Sequence, residues 1–167
     1  IIVPPFLIPP SAGLWCNGGT INTTASMSWS LSGLLRISAG TINVGSALNN
    51  YFAPQTGSSI IVEGGNLNVA DRISQFNAGW NFTMTGGTLT VPTVGNTTAS
   101  RPPFNMDATA ASFSMSGGTI IIERSGGSAG QNLGFLCLGL GGSGFTGGTL
   151  QIGDASTPAS QTIGITS

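Results

Sequence analysis

One ten-residue phrase recurs about six times along this chain: apolar, any, apolar, any, Gly, Gly, Thr, apolar, any, apolar. It occupies Leu14 to Thr23, Leu35 to Val44, Ile60 to Val69, Phe82 to Val91, Phe113 to Ile122 and Ser143 to Ile152, each with small departures. A strand-turn-strand unit of this kind cannot bury its own apolar face. Copies spaced 21 to 31 residues apart must therefore pack on one another to make a core.

The columns can be counted from the second glycine of each pair. Three residues before it stand Cys16, Ile37, Val62, Met84, Met115 and Phe145; two after it stand Ile21, Ile42, Leu67, Leu89, Ile120 and Leu150. Four after it come Thr23, Val44, Val69, Val91, Ile122 and Ile152. The intervening positions are mostly polar, with Asn22, Asn43, Asn68, Thr90 and Gln151 in one column and Ile121 its exception. Period-two alternation on both sides of the turn predicts two short strands per phrase with their apolar residues on one face. The density of Gly, Ser, Thr and Asn excludes a helical reading. Candidate third strands are Ser26 to Leu31, Ala47 to Phe52, Ile73 to Phe76, Phe104 to Met106 and Asn132 to Leu138. Trp29, Tyr51, Phe76, Trp80, Phe104 and Phe135 would fill the core or cover its edge.

At 167 residues the chain is long enough for one domain. Glycine-rich composition with little charge often marks disorder, but ordered apolar columns argue against it here. The expected division is a proline-rich arm or linker over 1–11, the repeated array over 12–153, and a further coil or edge over 154–167. The first residue is not methionine, which reads as processing or as excision from a longer chain. Four dispersed arginines (Arg36, Arg72, Arg101, Arg124) and a net charge of -1 leave no footprint for nucleic acid or an anionic membrane. No run of 18 apolar residues is present, so no transmembrane helix is expected. Cys16 falls in the first copy and Cys137 just before the last, too far apart in a stack for an intrachain bridge.

Two longer intervals hold Thr93 to Pro103, and Ser125 to Gly130 with Gly139 to Gly144. They read as connectors, or as loops forming a binding face. Thr20, Thr41, Asn66, Thr88, Thr119 and Thr149 would make a side-chain ladder beside the turn. An ice-binding role for it is disfavoured, because the ladder adjoins a bend and the next outward column is irregular.

Chemistry is sparse. The chain has no histidine and no lysine, which removes imidazole triads, imidazole metal sites and Schiff-base chemistry. The Gly-Gly turns match no phosphate-binding fingerprint. The carboxylates are Glu63, Asp71, Asp107, Glu123 and Asp154. Asp71 and Asp154 share the column six past the turn, with Glu123 one column earlier. In a stack with a repeat of about 4.8 Å that spacing does not forbid an acid-base pair. Asp71-Arg72 and Glu123-Arg124 nevertheless read as charged turn residues. Calcium has no supporting loop motif. No catalytic, cofactor or metal-binding residue is assigned, and an enzyme is not expected. Sequons occur at Asn22, Asn81 and Asn96.

Phe82-Thr-Met-Thr-Gly-Gly-Thr-Leu-Thr-Val91 and Phe113-Ser-Met-Ser-Gly-Gly-Thr-Ile-Ile-Ile122 resemble repeats of bacterial autotransporter passengers and giant adhesins, and more broadly pectin-lyase-like β-helices. The resemblance covers about residues 12 to 153. It implies a right-handed parallel β-helix (β-solenoid) of six or seven coils. It further implies an extracellular or cell-surface setting and a structural or adhesive role in a surface protein or filament. The alternatives are a carbohydrate-active β-helix enzyme, a tailspike-like glycan-binding fragment, or a self-assembling sheath subunit. The partners expected are neighbouring modules or further copies of the chain, and a glycan or cell-surface ligand.

Overall fold

The computed structural model describes residues 6–23, 28–74, 79–95, 101–108, 110–126, 132–138 and 141–166. The fold is all-β. Its strands are β1 (Phe6–Ile8), β2 (Gly13–Asn22), β3 (Trp29–Leu31), β4 (Leu34–Val44), β5 (Phe52–Pro54), β6 (Ser59–Val62) and β7 (Asn66–Val69). There follow β8 (Asn81–Val91), β9 (Phe104–Met106), β10 (Ser112–Ile122), β11 (Leu133–Cys137), β12 (Gly141–Ile152) and β13 (Gly164–Thr166). All of their pairings are parallel.

Most phrases form one long strand where two short ones were expected. The chain runs through the Gly-Gly step with a register shift rather than breaking there. Only β6 and β7 are separate. The Glu63 and Gly64 N–H groups both donate to the Ile37 carbonyl, at 2.8 and 3.3 Å, so the ladder is pinched at that point. β6 pairs with the first halves of β4 and β8, and β7 with their second halves. The four strands β4, β6, β8 and β7 thus close a ring of parallel pairings, which β2 extends on one side and β10 and β12 on the other.

The remaining strands make two separate three-stranded sheets, β1–β3–β5 and β9–β11–β13. Among the described residues Ile73 alone links them, through single bridges to Phe52 and Phe104. These findings correct the expectation of a right-handed parallel β-helix with six or seven uniform coils. The architecture is a closed four-strand parallel ring within one larger sheet, flanked by two small sheets. Between them the Arg72 carbonyl accepts from the Phe52 N–H at 2.8 Å, and the Ile73 N–H donates to the Pro103 carbonyl at 2.6 Å.

Alternation decides which residues enter the core. Ile37, Val62, Met84 and Met115 are fully buried in one column, and Ile42, Leu67, Leu89 and Ile120 in another. Branched and unbranched apolar side chains fill the pleated inner surface, each fully buried one contributing about 1.5–3 kcal/mol. Strands must also approach closely at the turn. A Cβ on Gly117 would lie 2.4 Å from the Thr85 carbonyl oxygen, and Gly87, at φ 75°, packs on the backbone of Gly64 and Gly65.

Aromatic residues of the large sheet and of the β9–β11–β13 sheet meet in one cluster, and Phe6, Trp29 and Phe52 form another. Phe104 stacks on Phe135 with ring centroids 4.8 Å apart, and Phe82 on Phe113 at 5.6 Å. Phe82 meets Phe104 edge-on at 5.5 Å, the other favoured geometry. Trp29 and Trp80 are also buried, whereas Tyr51 is half-buried beneath the Arg72 guanidinium. Phe76 lies outside the described residues.

Of the expected third strands, Phe104–Met106 is found as read. The one expected over Ala47 to Phe52 begins at Phe52 instead; of that expected over Ile73 to Phe76, Ile73 makes single bridges, while residues 75 and 76 lie outside the described residues. β3 covers Trp29–Leu31 and β11 Leu133–Cys137. The glycine-rich stretch read as a connector over Gly139 to Gly144 is strand from Gly141 onward. Cys16 and Cys137 form no disulfide. No helix among the described residues is long and apolar enough to cross a membrane.

The accessible surface is 6960 Å². A compact monomer of 16.7 kDa is expected to expose about 7,600 Å². A protein no more exposed than that is compact, not elongated. This overturns the expectation of an extended structural or adhesive module of a surface protein or filament, and the β-helix enzyme and tailspike-like alternatives fall with the uniform solenoid.

Candidate binding surfaces

Side chains that are buried throughout the large sheet come to the surface on its last strand. The column Cys16, Ile37, Val62, Met84, Met115 is at most 2% exposed, whereas its last member, Phe145 on β12, is 45% exposed. Ile152, paired with the buried Ile122, is 39% exposed, and Ile165 on β13 is 49% exposed. Among the described residues β12 has only β10 beside it, which leaves one row of its backbone groups facing outward. At the opposite end, again among the described residues, β2 has only β4 beside it and β1 only β3. Leu7, Trp15 and Leu34 are exposed there. None of β1, β2, β12 and β13 carries a charged residue.

Charged side chains are held elsewhere, in pairs. Arg36 on β4 forms a two-pronged bridge to Glu63, with contacts of 2.9 and 3.0 Å, and its guanidinium lies 4.9 Å over the Trp15 ring. Trp15 Nε1 donates to Ser38 Oγ at 2.7 Å, which fixes the exposed ring from the other side. Asp71 is fully buried. It accepts from Arg72 at 3.1 Å and from the Asn49 backbone N–H at 2.8 Å. Asp71-Arg72, which reads in sequence as an ordinary charged turn, is thus a buried pair, with half-buried Tyr51 against the Arg72 guanidinium.

Glu123 is likewise buried, 3.8 Å from Arg124 and beside Asp154. Burial first, and then the Asp154 charge, push its carboxyl above the usual range, against the lowering pull of Arg124. Of the three carboxylates that the sequence sets in neighbouring columns, the fold brings Glu123 beside Asp154 and leaves Asp71 in its own clasp. Asp107 stands apart, accepting from Asn105. No group of three or more Cys, Asp or Glu side chains that could hold a metal ion occurs among the described residues.

Polar ladders cover the outer face of the large sheet. Thr20, Thr41, Asn66, Thr88, Thr119 and Thr149 are in register across six strands. In the neighbouring column Asn68 Nδ2 donates to Asn43 Oδ1 at 2.8 Å, and Asn43 Nδ2 to Asn22 Oδ1 at 2.7 Å. A groove of about 440 Å³ lies along this amide row, closed at its sides by Thr23, Ser46 and Thr93. Sequence reading missed it, because its walls come from segments some 70 residues apart in the chain. The outward asparagine column was its one visible signal. Among the sequons, Asn22 is exposed, Asn81 is half-buried with its amide donating to the Ser58 carbonyl, and Asn96 lies outside the described residues.

No protein-family model, curated protein or solved structure matches this chain. The resemblance to autotransporter and adhesin repeats is accordingly corrected by the topology: a small all-β domain with a four-strand ring and two detached three-stranded sheets.

Proposed function

We propose that this protein is a non-catalytic association module that binds a second copy of itself head to tail, through the β12–β13 end of one molecule and the β1–β2 end of the next. The observation that carries the reading is the exposure of Phe145 and Ile152 at column positions that are buried in the preceding strands. Edge strands are ordinarily blunted by charge, and these four end strands have none.

The two ends are complementary in register as well as in polarity. A second molecule's β2 beside β12 sets its Cys16 against Phe145 and its Ile21 against Leu150, continuing the existing columns. Its β1 then falls beside β13, because both belong to the same flank of the fold. Covering the exposed half of each apolar side chain contributes about 1 kcal/mol apiece, in addition to the new backbone ladder. The non-catalytic reading is supported by the engagement of Glu63, Asp71 and Glu123 with arginines.

The test uses two blocked variants and sedimentation velocity. The wild-type chain is expected to show a mass above 16.7 kDa that rises with concentration. Phe145→Asp blocks one end and Ile21→Lys the other, so each variant alone is a monomer. An equimolar mixture restores one heterodimer and nothing larger, which a merely misfolded variant does not do. A wild-type chain that stays monomeric at every concentration overturns the proposal.

A further inference from the structure

We propose that the groove beside the Asn22–Asn43–Asn68 row is a binding site for a neutral polyhydroxylated ligand, a saccharide of one or two rings. A carboxamide has two N–H donors and two acceptor lone pairs. Asn43 uses one donor toward Asn22 and one acceptor toward Asn68. It keeps one of each for a ligand. The row itself fixes which way the amide faces, so this capacity is pre-oriented and little rotamer entropy is lost on binding.

An amide that presents N–H and C=O together is complementary to two adjacent hydroxyls, one accepting and the other donating. Parallel strands repeat this unit at about 4.8 Å. Asn68, paired with Thr90 on β8, continues the polar column beyond the amides. Ser46 and Thr93 add hydroxyls along the rim, while Thr23 is buried with its Oγ1 accepting the Gly45 N–H, so it supports the wall rather than facing a ligand.

Exposed Val94 supplies an apolar patch, suited to the C–H face of a sugar ring. The volume, about 440 Å³, lies in the range of small-molecule sites. No charged side chain lines the groove, which selects against phosphates, carboxylates and cations. The site lies on the outward face of the sheet, and its Asn22, on β2, also borders the end-to-end contact proposed above.

The experiment is a titration of the full chain with maltose, cellobiose and inorganic phosphate, followed through the asparagine side-chain NH₂ resonances. A disaccharide is expected to shift the Asn22, Asn43 and Asn68 signals saturably, and phosphate to leave them unmoved. Asn43→Leu should weaken the disaccharide by about tenfold, the loss of a paired donor and acceptor. Thr93→Val, which preserves shape and leaves the amide row intact, should weaken it less. Arg36→Ala, outside the groove, should leave affinity unchanged while the fold is checked by circular dichroism. Absence of any saturable shift with either disaccharide overturns the proposal. So does a response to phosphate, or binding by Asn43→Leu equal to that of the parent.

Discussion

Replacing Gly117 with alanine separates the close approach of strands from the ordinary effect of removing a glycine. Gly117 lies in β10 between β8 and β12, and its φ is not in the left-handed region, so alanine adopts its backbone conformation freely. At an unhindered site that change would stabilise the protein by about 0.4–1 kcal/mol through the unfolded chain. Here the new Cβ would sit 2.4 Å from the Thr85 carbonyl oxygen and 3.1 Å from its carbon, about 1 Å inside ordinary contact.

Neither atom belongs to a side chain that can swing aside. Relief requires β8 and β10 to part, which strains the ladder on both sides of β10 at an overpacking cost of about 1–3 kcal/mol. We expect a net loss near 2 kcal/mol, seen as a fall in Tm of about 4–8 °C for a domain of this size. Thermal unfolding by far-UV circular dichroism, with urea midpoints as a second reading, measures it. The chain provides its own control. Ala39 fills the equivalent position in β4, but its neighbour there is the edge strand β2, which can yield outward. Ala39→Gly should therefore lose only the unfolded-chain contribution of about 0.4–1 kcal/mol, a fall in Tm of about 1–4 °C. A Gly117→Ala protein as stable as the parent, or more so, would refute the packing argument.

Two further perturbations probe the core and its buried charge. Phe104→Ala removes a ring that touches Phe135, Phe82, Trp80 and Phe113, and should cost about 3–5 kcal/mol in urea unfolding; Phe104→Leu should cost clearly less, and equal losses would deny the aromatic contacts a part. The Glu123 carboxyl titrates above its ordinary value, so its contribution to stability is present in full below that value and is lost as pH rises through the raised one. Glu123→Gln should then match the parent in acid and become the more stable of the two toward neutral pH. A stability difference independent of pH would contradict this.

Legibility followed the range of the interaction that decides each feature. Which side chains of β4, β8 and β10 point inward was readable, because a strand's alternation is local and its period is two. The third-side strands were read less well. β5 starts where its expected strand ended, since the loop before it is set by Asn50 Oδ1 accepting from the Ser46 and Ala47 N–H groups, a turn in keeping with Gly45, Ser46, Asn49 and Asn50. Asp71-Arg72 reads as an ordinary charged turn because adjacent opposite charges look alike in sequence whether solvated or enclosed. Only the approach of Tyr51 and the Asn49 backbone shows them enclosed. The groove is not legible at all, although its asparagines stand in one column of the sequence.

By itself the sequence determined that this chain is built of strands, which faces of those strands are apolar, and where glycine is needed. These follow from backbone geometry and the burial of apolar surface along each segment. The tertiary structure decided how the strands close into a ring, where the flanking sheets divide, and that the protein is compact. It also decided that apolar columns surface at β12 and that amides align beside a groove. Those outcomes depend on contacts between residues far apart in the chain, whose energies compete only once the whole chain is packed.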